Sequence, residues 1–260
     1  MKRLMAGIFA LVLAPFVLAD DAAPNDWKRS AIYVTGVADI DAQGKITHLE
    51  LLPHASEDNA SKALADKLAP LAESTMSHWE FDPVSVDGKP AQARTYLHGV
   101  FEFRPLNGNV ETRLVFTGNG PHLALHPDAS QGPKYPRSMM SALVQAKLTM
   151  LAMVQPDGSL TDIHLESAQS TDGHAAEEFV RAAIEAMSTW HAIPEAVDGH
   201  TVKTRIRVPL WFNLDDTRRG GRLDPRLKRS VDSPGEPAPS ASNTQMMAID
   251  SPVKIRSESR

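Results

Sequence analysis

A chain of 260 residues that is 42% hydrophobic and 23% charged has ordinary globular composition, with material for one or two domains. Its formal net charge of −5 speaks against nucleic-acid binding, which rests on a cationic footprint. The absence of cysteine excludes a disulfide framework, a thiolate metal site and a lipid-anchoring cysteine.

At the start, Met1-Lys2-Arg3 leads into the apolar run LMAGIFALVLAPFVLA and then Asp20 and Asp21. Two cations, a short greasy core and the small residue Ala19, with Val17 two places before it, predict a cleavable signal peptide over residues 1–19. The run holds 16 residues with Pro15 inside, fewer than the roughly 20 that span a bilayer comfortably. An uncleaved membrane anchor is the alternative.

A first unit is expected over residues 31–117. AIYVTGVADI and ITHLELL read as strands around a turn at Gly44, a hairpin signal. Ser56 or Asp58 is a candidate N-cap for a helix whose apolar stripe is Leu64, Leu68, Leu71, Thr75 and Trp79. Pro70 inside it predicts a kink or break. Pro83 then halts the helix tail, Asp87-Gly88 turns the chain, and a strand follows through Leu97, Phe101 and Phe103. Asn107-Gly108 is a further hairpin signal that adds a strand from Val110 to Phe116. Residues 118–134 read as a linker.

The second unit, residues 135–216, follows the same plan. KLTMLAMVQ leads to Pro156-Asp157-Gly158, and Leu160, Ile163 and Leu165 mark the return strand. Phe179, Ala183, Ala186 and Trp190 recur at helical spacing, Pro194 and Asp198-Gly199 follow, and Ile206, Val208, Leu210, Phe212 and Leu214 alternate in the closing strand. From 217 to 260 the chain is polar and lacks a period that could bury a face, which predicts a disordered tail with a cationic cluster between Arg218 and Arg229.

The units share a phrase. MSHWEFDPVSVDG from Met76 and MSTWHAIPEAVDG from Met187 agree at seven of thirteen positions, 111 residues apart. What repeats is an anchor (Trp79, Trp190), a stop (Pro83, Pro194) and a turn ending in Gly88 or Gly199. The expected fold class is therefore α+β: two tandem units, each an antiparallel sheet of about three strands on one main helix in the order β-β-α-β. Units this small make thin cores, so they are expected to pair, within one chain or between two copies.

Reactive chemistry is sparse. His48-x-Glu50 and Asp162-x-His164-x-Glu166 line polar groups along a strand face without converging further ligands. His122 and His126 are flanked by Pro121 and Pro127, and the Met139, Met140, Met150 and Met153 cluster reads as packing. GxSxG, HExxH and a phosphate-cradling loop before a helix are all missing from the sequence. A non-enzymatic protein with neither metal nor cofactor is the expectation.

The second unit resembles the C-terminal domain of the TonB family. The resemblance is carried by Pro133-Lys134-Tyr135-Pro136 before a short helix, Pro156-Asp157-Gly158, Trp190 with Pro194 and Gly199, and the closing Val208-Pro209-Leu210-Trp211-Phe212. It covers about 80 residues, Pro133 to Leu214, and the first unit resembles the domain more loosely through Gly44, Trp79, Pro83, Gly88 and Phe101. The chain departs from the family in having Leu143 and Ala146 where two glycines are usual. It departs again in an apolar N-terminal run without Ser, Thr or His, and in a short reach after it. The resemblance implies a periplasmic protein whose partner is an extended peptide of an envelope protein or outer-membrane receptor, joining the sheet beside the last strand. A membrane-anchored energy transducer supporting outer-membrane transport is the alternative. Pro209 cannot donate a ladder bond, which favours an unpaired flank on that strand. Arg205, Ile206, Arg207, Val208 and Trp211 are the expected partner-binding edge, with the arginines and Trp211 facing away from Ile206 and Val208.

Overall fold

The structure, a computed structural model, is described for residues 27–53, 59–106, 109–123, 132–173, 176–214 and 246–257. The elements of the first half are β1 (Lys28–Ile40), β2 (Ile46–Leu51), α1 (Asn59–Met76), β3 (Glu80–Phe81), β4 (Val84–Val86), β5 (Lys89–Ala91), β6 (Ala93–Leu106), β7 (Asn109–Gly120) and β8 (His122–Leu123). In the second half they are α2 (Arg137–Ser141), β9 (Ala146–Val154), β10 (Leu160–Ser170), α3 (Ala176–Met187), β11 (Ala192–Ile193), β12 (Ala196–Val197), β13 (His200–Thr201) and β14 (Thr204–Phe212). Two short strands close the chain, β15 (Met247–Ala248) and β16 (Ile255–Ser257). The class is α+β, strand-rich with few helices, and the order strand, strand, helix, strand occurs in both halves.

In the first sheet β1 lies between β2 and β6, and β6 carries β7 on its far flank. In the second, β9 lies between β10 and β14, and β14 carries β15. Each helix lays one stripe on its sheet. Phe179, Ala183 and Met187 of α3 are buried, with Ala186 partly so. In α1 the buried positions are Ala65, Ala72 and Met76 with Leu68 packed beside them, while Leu64 and Leu71 are exposed. Leu68 and Trp79 of the expected stripe thus pack on the core, while Ala65, Ala72 and Met76 take the places expected for Leu64, Leu71 and Thr75. Pro70 does not break α1 either. It and Asp66, four residues back, whose carbonyl a proline cannot bond, both lie on the exposed face, where solvent has access to that carbonyl.

The repeated phrase has a common geometry. The Met76 and Met187 side chains are fully buried, and the Trp79 and Trp190 indoles are 1% and 3% exposed. Burial of about 200 Å² per indole, at roughly 25 cal/mol per Å², is worth several kcal/mol. Between them the repeated serine finishes the helix: Ser77 Oγ donates to the Ser74 carbonyl at 3.0 Å, and Ser188 Oγ to the Glu185 carbonyl at 2.7 Å. The helices end at Met76 and Met187, seven residues before Pro83 and Pro194, so the prolines are not helix stops. They separate short strands instead, β3 from β4 and β11 from β12. The turns follow as expected, with positive φ at Asp87, Gly88, Asp198 and Gly199 in both hairpins.

A second shared feature links each hairpin turn to the chain beyond the tryptophan. The Phe81 amide donates to the Gly44 carbonyl at 2.8 Å, and the Ala192 amide to the Gly158 carbonyl at 2.9 Å. A Cβ at Gly44 would lie 1.9 Å from the Phe81 carbonyl oxygen, and one at Gly158 2.3 Å from that of Ala192. Only glycine permits this approach.

The halves interlock. β12, from the second half, pairs with β6, placing Ala196 opposite Arg94 and Val197 opposite Ala93. β8, in the stretch expected to be linker, pairs with β11, and β7 runs on to Gly120, beyond the expected end of the first unit. The expectation of disorder from 217 to the end fails for residues 246–257, and residues 215–245 lie outside the described residues. Met246 enters the second core, Val253 enters the first, and β16 pairs with β3. No sequence period announces this segment because each anchor meets a different partner far away in the chain. The expected helix cap at Ser56 or Asp58 and residues 1–19 also lie outside the described residues.

Candidate functional site

β14 is the residue set on which the sequence places binding. Its pairing with β9 runs without irregularity from Thr204 opposite Val154 to Phe212 opposite Ala146. Ile206, Val208, Leu210 and Phe212 are buried, Arg205 is exposed, and Arg207, Pro209 and Trp211 are half-buried, as strand alternation requires.

Backbone direction follows from one bond. The Arg205 carbonyl accepts the Ile249 amide at 2.8 Å, so Arg205 points its backbone away from β9. Antiparallel ladders alternate with period two, hence Arg207, Pro209 and Trp211 also present their backbone groups to that outer flank. Pro209 stands where its missing N–H costs the β9 ladder nothing. Ile206 and Val208, by contrast, spend their amides on β9.

The outer flank is not unpaired along its whole length, contrary to the expectation. Ile206 faces Ala248 and Arg207 faces Met247, and the Arg205 amide donates to Asp250 Oδ1 at 2.6 Å. The pairing ends at Arg207, two residues short of the proline that cannot donate. From Pro209 to Phe212 no strand pairs on this flank among the described residues.

Side chains frame it. Arg207 clasps Glu166 through two hydrogen bonds, and that contact holds the Glu166 carboxyl below the ordinary carboxylate range. Glu166 is therefore committed to an arginine rather than to the polar row with His164. Lys147 Nζ lies 5.3 Å from the Trp211 ring centre, within cation–π range. Beneath the sheet, Tyr135 donates its hydroxyl to the Val144 carbonyl and meets Phe179 and Phe212 edge-on, with burial pushing its pKa up to about 12. Leu143, where the resemblance leads one to expect glycine, holds φ at 57°.

Sequence reasoning missed the junction that seats the C-terminal segment. Glu195 is fully buried beside Pro194 and accepts from Thr95 at 2.6 Å, Ser251 at 2.7 Å and Thr204 at 3.0 Å. Asn119 Nδ2 donates to Ser251 Oγ at 2.9 Å and to the Val253 carbonyl at 3.2 Å. Burial pushes the Glu195 carboxyl up, against the pull of its three hydroxyl donors. The one available signal was Glu195 itself, a charged residue inside a repeat that otherwise conserves anchors and turns.

One helix on a small antiparallel sheet, with a last strand that takes an extended neighbour on its outer flank, defines the class of this second half. Residues 131–214 match the family described as Gram-negative bacterial TonB protein C-terminal, and this stretch falls in that family. Two curated proteins named Protein TonB, from two strains of Xanthomonas campestris pv. campestris, are each 29% identical to the chain over 83 residues, 32% of this chain and 35% of theirs. The chain thus spans about a third of the length of the curated relatives it matches.

Proposed function

We propose that this chain is a TonB-like protein of the cell envelope that binds extended segments of outer-membrane receptors by strand addition to the outer flank of β14. The observation that carries the reading is that this flank takes a short antiparallel strand, Met247–Ala248, followed by the Ile249 amide on the Arg205 carbonyl and the Asp250 carboxylate on the Arg205 amide. A flank that accepts one extended segment by its main chain offers the same donors and acceptors to another. The family match over residues 131–214 supports a role connected with outer-membrane transport.

On this reading Arg205, Arg207 and Trp211 meet the partner, while Ile206 and Val208 support the strand from the core side. Residues 1–19 direct export to the periplasm, and the two halves are copies of one β-β-α-β unit, the first with its own flank closed by β7. The test is photocrosslinking in the native envelope with Trp211→p-benzoylphenylalanine. The expected products are outer-membrane receptors; crosslinks confined to the chain itself would reject the reading.

A further inference from the structure

Both last strands carry a neighbour supplied by the chain itself, but the two closures differ in kind. β7 follows β6 as a hairpin and pairs with it at eleven register positions, from Tyr96 opposite Gly120 to Leu106 opposite Asn109. β15 reaches β14 across the 31-residue stretch 215–245 and pairs at two positions. The first closure cannot leave without dismantling a sheet. The second can. Nor does the repeat supply an alternative: Arg94 of β6 receives β12, whereas Arg205, 111 residues later, receives Ile249 and Asp250.

Backbone pairing alone selects no sequence, so selectivity must come from side chains. Two side chains of the segment are specifically received. Met246 is 1% exposed within the second core, a socket for a large unbranched apolar group. Asp250 places a carboxylate oxygen on the Arg205 amide at 2.6 Å, a charge-assisted hydrogen bond to the backbone. Ile249 between them is exposed.

We propose that residues 246–250 are a built-in template for the partner. On this proposal the β14 flank takes extended peptides antiparallel to it, with a large apolar residue in the place of Met246 and a carboxylate in the place of Asp250. Residues 246–257 are then the tethered competitor that such a peptide displaces. This rests on the reading of the β14 flank as a strand-accepting site. The strap belongs to the same chain as the site, so a free peptide gains entry in proportion to how often the strap is open. Val253, buried in the first core and beyond the peptide's reach, is one of the anchors that set that fraction, with Ser251 on Glu195 and β16 on β3.

The test uses the full chain carrying Val253→Ala with Arg207→Cys and Met247→Cys. These are facing residues, about 5.5 Å apart in Cα for a hydrogen-bonded pair, and the chain has no other cysteine. The probe is a fluorescent peptide of residues 244–252, TQMMAIDSP, read by anisotropy. Expected results are binding at least tenfold tighter when the pair is reduced than when it is oxidised. The Met246→Ser and Asp250→Lys peptides are expected to bind at least tenfold more weakly. Equal binding in both redox states, undiminished binding of the Asp250→Lys peptide, or no binding by the Val253→Ala chain with Arg207 and Met247 intact would each overturn the proposal. Receptor crosslinks at position 211 together with redox-independent peptide binding would leave strand addition standing and remove the template. Redox-gated peptide binding without receptor crosslinks would do the reverse.

Discussion

Replacing Glu195 by alanine removes the acceptor shared by Thr95, Thr204 and Ser251, three hydroxyls from the first half, the second half and the C-terminal segment. A buried donor left without a partner costs about 1–3 kcal/mol. Asn119 donates to the Thr95 and Ser251 oxygens and so leaves their O–H groups unpaired, whereas the loss of a buried carboxylate is itself favourable, and the net cost is placed at about 2–4 kcal/mol. For a folded body of this size each kcal/mol moves the midpoint by about 2–4 °C, which puts the expected drop at roughly 4–16 °C. Glu195→Gln keeps an oxygen for Thr95 and Ser251 and turns an amide toward Thr204, so it should cost about 1 kcal/mol or less. The charge gives a second readout. A carboxyl whose pKa is raised on folding contributes stability that is fully present below its unfolded pKa and lost as pH rises through the folded one. The wild type should therefore gain stability as pH falls toward the ordinary carboxylate range, and Glu195→Gln should flatten that part of the profile. Thermal unfolding followed by circular dichroism at several pH values measures both. An Ala variant melting within about 1 °C of wild type would refute the view that this junction seats the C-terminal segment.

Four further outcomes are expected. Trp190→Ala and Trp79→Ala should each cost about 3–5 kcal/mol in denaturant unfolding, since each indole is buried in its own core. Gly158→Ala and Gly44→Ala should destabilise more than an ordinary surface Gly→Ala change, because the added carbon meets a carbonyl oxygen; Gly88→Ala, with nothing within 4 Å, is the control that shares the positive φ. Leu143→Gly should be neutral or stabilising by up to about 1 kcal/mol, relieving a left-handed backbone at the expense of glycine's chain entropy, as thermal melts would report. Arg207→Pro should weaken capture of an extended peptide while leaving the β9 ladder and the far-ultraviolet spectrum intact. Val208→Pro, whose amide points to β9, should instead collapse the second sheet.

Local periodicity made much of the second half legible. Phe179 and Ala183 were visible because a helix repeats every 3.6 residues, and Ile206, Val208 and Leu210 because a strand repeats every two. Pro209 carried information about its flank for the same reason: it lies on the parity that faces away from β9. In α1 the leucines misled, since Leu64 and Leu71 outweigh Ala65 and Ala72 in any hydrophobic count, yet it is the alanines that are buried. Contacts between distant segments left no local trace. Val197 opposite Ala93, Met246 in one core and Val253 in the other are each settled by a partner about a hundred residues away or more, or by a socket that several segments build together. Hydroxyl donors around Glu195 come from three such segments and could not be paired from spacing alone.

The most direct measurement is residue-resolved amide exchange of the full chain with and without a bound receptor segment. Ile249, whose amide now donates to the Arg205 carbonyl, should lose protection when the segment binds, while Ile206 and Val208, bonded to β9, should keep theirs. Saturating binding with Ile249 still protected would contradict the account, because the segment would then lie somewhere other than the flank held by residues 247–250.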